Sequence, residues 1–268
     1  MNTQKTEGAR RVVAMSSSVL FPLLFVDFIN ALVTEGIFPA EAHSECIKEQ
    51  LRKAGDFSEK AFAQDLLDVF VRYSCGRSAS DICTVGYMTA SQAIDKMSYL
   101  ARSIICKPLE DGDYLVLISS LPEALAKPFA DILHFEQYLA LSFSLDKDYK
   151  YTPSCNQLLP AMWLPEVINK LSFVPTTITG IGFSNLDVSW LQWVNVKRAV
   201  CIDPTSVELI DIARAENRRA KTEGRDPKYM FVYNMNSTES KYLYPGTGDQ
   251  LPRWFRRDHD GFTARVRI

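Results

Sequence analysis

The sequence predicts an α/β protein: a Rossmann-like, doubly wound parallel sheet, with an all-helical cap inserted after the first strand and a small β appendage at the C-terminal end. Three observations predict it. Arg11 to Met15 is a short apolar stretch that reads as a buried strand. Residues 21–105 then carry apolar positions at helical spacing. From Asp113 to Thr222 short β-branched runs alternate with amphipathic helical ones, the pattern of a parallel sheet covered on both faces.

Taken in order, residues 1–10 are polar and expected to be disordered. Phe21 to Glu35 reads as a helix stopped by Gly36, and Pro39 to Ala54 and Phe57 to Tyr73 as two more. Gly76 to Ile105 holds a further pair, with Ser78 or Ser80 as N-cap and Gly86 in a turn that faintly suggests a helix-turn-helix. Asp113 to Ser119 is an apolar strand, Pro122 to Leu133 a helix with Pro near its start, and Gln137 to Leu145 a strand. Helices over Pro160–Leu171, Asp187–Val194 and Pro204–Thr222 alternate with strands over Thr176–Gly182 and Arg198–Ile202. After Gly224, Tyr229–Tyr233, Lys241–Tyr244 and Phe262–Ile268 read as strands of the appendage. The expected division is a core of residues 10–20 and 107–223, a cap of 21–106 and an appendage of 224–268. A helical insertion after the first strand of such a sheet commonly covers a site at the strand ends.

Composition narrows the class. Hydrophobic residues make up 47% and charged residues 23%, which allows a core of ordinary size. The net charge of −2 gives no global attraction for nucleic acid. The balance is uneven: residues 211–268 hold 12 Lys+Arg against 8 Asp+Glu, so a weakly basic tail follows an acidic body. Ser16–Ser18, Pro22, Asp27 and Asn30 interrupt the apolar stretch Val12–Val33, so no membrane insertion is expected. Six cysteines without a C-x-x-C pair, mostly in apolar runs, suggest reduced, buried thiols in a cytoplasmic protein. With three histidines, of which only His43 lies close to a cysteine (Cys46), and no C-x-x-C pair, a zinc site is not expected.

Two stretches carry a family resemblance. In Asp113 to Thr152 a strand ends in Ser119 or Ser120, a turn at Pro122 leads to a helix containing Pro128, and a strand and Tyr151-Thr152 follow. In Gly180 to Arg214, Gly182, Ser184, Asp187, Leu191, Ala199-Val200 and Asp203-Pro204 fall in order. This arrangement resembles the second and fourth motif regions of phosphoserine-phosphatase-like members of the haloacid dehalogenase superfamily. The helical stretch Phe21–Ile105 resembles their cap, so the resemblance covers about residues 10–220.

The resemblance implies a specific chemistry, and the residues depart from it. Such phosphatases use an Asp nucleophile at the end of the first strand to form an aspartyl phosphate, and a second Asp two residues later as acid and base. A Lys and a Mg²⁺ ion held by carboxylates neutralise the phosphate. Here Met15 stands in the nucleophile's place, Ser17 in that of the acid/base, Val19 replaces a Thr and Phe183 replaces the first Asp of motif four, leaving Asp187. No Lys occurs between Lys150 and Lys170 to serve as the third motif. A rival register with Asp27 as nucleophile leaves Ile29 as the acid/base and fails as well.

The expectation is therefore a phosphatase scaffold without catalytic residues, without Mg²⁺ or other cofactor, acting as a binding, scaffolding or regulatory component through protein partners. Ser119, Ser120, Ser184 and Asp187 are candidates for a residual ligand site, and Ser119 also for a retained structural turn, Ser184 or Asp187 for a helix cap. Arg253, Trp254, Arg256 and Arg257 are candidates for a protein-docking patch. One alternative is a hydrolase of altered chemistry acting on a phosphorylated small molecule. A second is a nucleic-acid-associated protein using the basic tail, although Tyr242–Trp254 carries Thr247 and Asp249 where a minor-groove-reading loop places Arg or Gln.

Overall fold

The computed structural model describes residues 10–17, 24–52, 59–97, 99–156, 160–182, 185–202, 204, 207–233 and 241–243. The expectations for residues 1–9, Val19, Phe183, Ser184, Arg253, Trp254, Arg256, Arg257 and the strand Phe262–Ile268 lie outside them. The chain runs β1 (Arg11–Ser16), α1 (Leu24–Thr34), α2 (Ala40–Arg52), α3 (Glu59–Ser74), α4 (Ala79–Asp95), α5 (Tyr99–Glu110), β2 (Tyr114–Pro122), α6 (Glu123–Ile132), β3 (Gln137–Leu145), β4 (Tyr151–Asn156), α7 (Pro160–Ile168), β5 (Thr177–Gly182), α8 (Asn185–Leu191), β6 (Val196–Ile202), α9 (Val207–Thr222), β7 (Tyr229–Tyr233) and β8 (Lys241–Leu243). The sheet order is β4-β3-β2-β1-β5-β6-β7-β8. Contacts divide the chain into two units: residues 1–15, 98–116 and 161–268, and residues 16–97 and 117–160.

In the first unit β1 pairs with β5, β5 with β6 and β6 with β7, all parallel. Parallel pairing needs crossovers, which α8 and α9 supply. The strand Tyr229–Tyr233 joins this parallel ladder instead of standing apart in an appendage, and β8 adds to its edge antiparallel. The reason is burial: Tyr229, Met230, Phe231 and Val232 are all buried, so the strand needs cover on both faces. Asn217 of α9 fixes β7 in place. Its buried amide donates to the Tyr229 carbonyl at 2.7 Å and accepts from the Tyr229 N–H at 3.0 Å. Asn217→Ala orphans both backbone groups and is expected to cost about 2–3 kcal/mol, read as a lower urea midpoint at constant slope.

Lys228, at the start of this strand, is half-buried, donates to the Trp193 carbonyl at 3.3 Å and lies over the Tyr229 ring. Burial lowers its pKa to about 8, with nearby Lys197 adding to the shift and Glu216 opposing it. The unfolded chain keeps this proton to about pH 10.4. Between these values the unfolded state binds more protons, so Lys228 makes stability rise with pH there and adds no slope below pH 8. The difference in stability between the protein and Lys228→Met is expected to shrink across this window, measured by urea titrations at each pH.

The second unit holds α1 to α4, α6 and the β3–β4 hairpin. Ser78 caps α4 as expected, its hydroxyl accepting from the Asp81 N–H at 3.3 Å. Gly86 lies inside α4, not in a turn, which removes the helix-turn-helix suggestion; it is buried where α4 crosses α6. Asp27 is exposed on α1, so no strand ends there and the rival register is excluded. The hairpin was not expected: β3 and β4 pair antiparallel, Leu145 opposite Tyr151, around a turn in which the Asp146 carboxylate accepts from the Asp148 and Lys150 N–H groups at 2.9 Å each.

The cysteines are all free, but only Cys46 and Cys201 are buried, while Cys75 and Cys106 are exposed. The apolar run before Cys106 belongs to an amphipathic helix, α5, whose one face buries Ile104 and Ile105. No helix among the described residues is long and apolar enough to cross a membrane.

Candidate functional site

In an open parallel sheet, ligands bind beyond the carboxyl ends of the strands. In the first unit the relevant ends are those of β1 and β5. Met15 pairs with Ile181 in the parallel register and is fully buried, so its thioether is part of the sheet's packing. Gly182 ends β5. A Cβ at that position would sit 2.7 Å from Leu191 Cδ1 and 2.9 Å from Asp187 Cβ, so the absence of a side chain is what lets α8 lie against the strand. Asp187 is on that helix, 1% exposed, and its carboxylate accepts from the Trp190 indole N–H at 3.2 Å. It is the third residue of α8 and not its cap. The fully buried Cys201 thiol is pushed up, first by burial and then by the negative charge of Asp187.

In the second unit Ser17 and Ser119 meet. They are 7% and 1% exposed, and their hydroxyls share a hydrogen bond of 2.9 Å. The Ser119 hydroxyl also accepts from the Leu121 N–H at 3.1 Å, a local bond that shapes the end of β2. That is the structural-turn role weighed for Ser119. Ser120 is half-buried beside it. The bond between Ser17 and Ser119 was not expected, because nothing in either local sequence points to the other.

Lys170, the one lysine near the expected third motif, pairs with Glu166 at 2.8 Å on the surface just after α7. Among the described residues no three His, Cys, Asp or Glu side chains are grouped to hold a metal ion. The donors at the end of β1 do not fit Mg²⁺ either. That ion takes hard oxygen ligands, chiefly carboxylates and water, whereas Met15 offers a buried thioether and Ser17 a neutral hydroxyl already bonded to Ser119.

No protein-family model matches the chain, and no curated protein sequence does. Solved structures do. A protein of unknown function from Bordetella pertussis Tohama I superposes with a TM-score of 0.60 at 15% identity, over 81% of this chain and 97% of that one. A phosphoserine phosphatase captured as a phospho-aspartyl intermediate analogue gives 0.51 at 13% identity, over 76% and 90%. A substrate-bound phosphoserine phosphatase gives 0.50 at 13% identity, over 75% and 90%. The chain therefore has a haloacid-dehalogenase-type, phosphoserine-phosphatase-like fold, as the sequence resemblance implied.

Proposed function

We propose that this chain is a catalytically silent protein on a phosphatase scaffold, acting as a binding, scaffolding or regulatory component of a protein complex. The observation that carries this reading is Met15, fully buried one residue before the end of β1, where the sequence resemblance puts a carboxylate nucleophile. A thioether cannot form an acyl phosphate. Two residues on, Ser17 offers an alcohol that does not ionise near neutral pH, and its hydroxyl is already bonded to Ser119. Loss of a nucleophile or base alone commonly removes several orders of magnitude from turnover, and here both are replaced. The altered-chemistry reading receives less support, since Ser119 and Asp187 each have a bond to a neighbouring residue of their own turn or helix.

The test is hydrolysis of p-nitrophenyl phosphate by the purified chain with Mg²⁺, against a heat-killed control. Release at the control rate is expected. Release above it that is lost in Asp187→Asn would overturn the proposal in favour of an enzyme of altered chemistry.

A further inference from the structure

Two lysines of the first unit converge on one turn. Lys197 of β6 donates to the Val194 carbonyl at 3.1 Å, and Lys228, just before β7, donates to the Trp193 carbonyl at 3.3 Å. Strands β6 and β7 are parallel neighbours, so the two side chains reach adjacent carbonyls from adjacent strands. Among the described residues neither lysine has a carboxylate within ion-pair distance, whereas Lys107, Lys127 and Lys170 pair with Asp111, Asp131 and Glu166. Lys197 is exposed; Lys228 is half-buried, follows the exposed Arg225 and Asp226 in sequence and lies over the Tyr229 ring.

A carbonyl and a ring face hold an ammonium less firmly than a carboxylate does. An amine held in this way, partly desolvated and beside a second cation, spends more of its time as the neutral nucleophile. The charged groups around Lys228 are Lys197 of β6 and Glu216 of α9, and Arg225 meets Glu216 at 3.7 Å and draws on its charge. With a pKa of about 8, about half of the Lys228 amine is neutral at pH 8, against less than about 1% of an ordinary lysine.

We propose that Lys228 is a site of covalent acylation by acyl phosphates, with Lys197 steering the phosphate of the donor. The neutral Nζ attacks the acyl carbon, the bond from that carbon to the phosphate oxygen breaks, and inorganic phosphate leaves while the nitrogen gives up a proton to water. The product amide keeps one N–H for the Trp193 carbonyl, and the modification removes a cation from a half-buried position, so the fold accommodates it. The exposed Lys197 ammonium favours anionic donors over neutral ones. Met15 and the end of β1 take no part in this chemistry, so it stands or falls apart from the proposed function.

The test is acetylation of the full chain by acetyl phosphate at pH 8, with the rate at each lysine followed by peptide mass spectrometry. Lys228 is expected to react on the order of tenfold faster than Lys107, Lys127 and Lys170, and to lose that lead in urea. A rate at Lys228 no higher than at those three, or a lead that persists in urea, would overturn the proposal. In Lys197→Gln the Lys228 rate with acetyl phosphate, divided by its rate with an uncharged acetyl thioester, is expected to fall several-fold. An unchanged ratio contradicts the phosphate-bearing class of donor.

Discussion

Gly86→Ala is expected to destabilise the second unit by about 3 kcal/mol or more. A Cβ at this position would lie 1.9 Å from the Ala124 backbone oxygen and 3.0 Å from its carbonyl carbon. Both obstacles are main chain, so no rotamer change relieves them, and α4 and α6 must move apart. Alanine's better helix propensity returns only about 1 kcal/mol, which does not offset the overlap. Because α4 also packs on α1, the shift propagates to α1. The expected result is a lower urea midpoint, with protection from hydrogen exchange lost first in α4 and α6. A midpoint within experimental error of the parent's would contradict this account of the crossing.

Phe70→Ala is expected to cost about 4 kcal/mol, the range for removing a fully buried aromatic ring. Phe70 is 0% exposed and touches five rings: Phe28, stacked at 5.9 Å, Phe25 at 6.0 Å, Phe38 at 5.9 Å, Phe143 at 5.4 Å and Tyr151, edge-on at 6.1 Å. These come from α1, the segment before α2, β3 and β4, so one side chain ties the helices to the hairpin. Phe70→Leu retains most of the volume and is expected to lose distinctly less. Equal losses in the two variants would show that ring packing is not what Phe70 supplies.

The elements most readable from sequence are those whose burial follows one period. Gln137–Leu145 was placed to the residue, and β1, β5 and β6 to within two residues, because each is a compact β-rich run between turn signals. Strand β4 was not readable as a strand. Tyr-Thr-Pro-Ser-Cys-Asn contains Pro153 and little apolar alternation, and it is held by pairing with β3. Gly86 carries an ambiguous signal, since a turn and a close helix crossing both call for a missing Cβ. The strand Tyr229–Tyr233 is legible as a strand from its apolar, aromatic run, while its parallel partner β6 depends on the path of α9.

The site divides in the same way. The resemblance sets Met15, one residue before the end of β1, in the nucleophile's place, and that reading needs only the sequence, because the residue type alone decides the chemistry. The bond between Ser17 and Ser119 joins residues 102 positions apart and depends on the fold. Asp187 and Trp190 lie three apart on one helix, so their bond was within reach of spacing; only the burial of the carboxylate requires the structure.

The claim that the end of β1 holds neither a phosphate-accepting carboxylate nor a Mg²⁺ site is tested most directly by calorimetry on the full chain. Mg²⁺ is titrated alone and then with beryllium fluoride, which mimics an aspartyl phosphate. The account predicts heats of dilution in both titrations. Stoichiometric, Mg²⁺-dependent uptake of beryllium fluoride would contradict it and would mean that a carboxylate serves where Met15 stands.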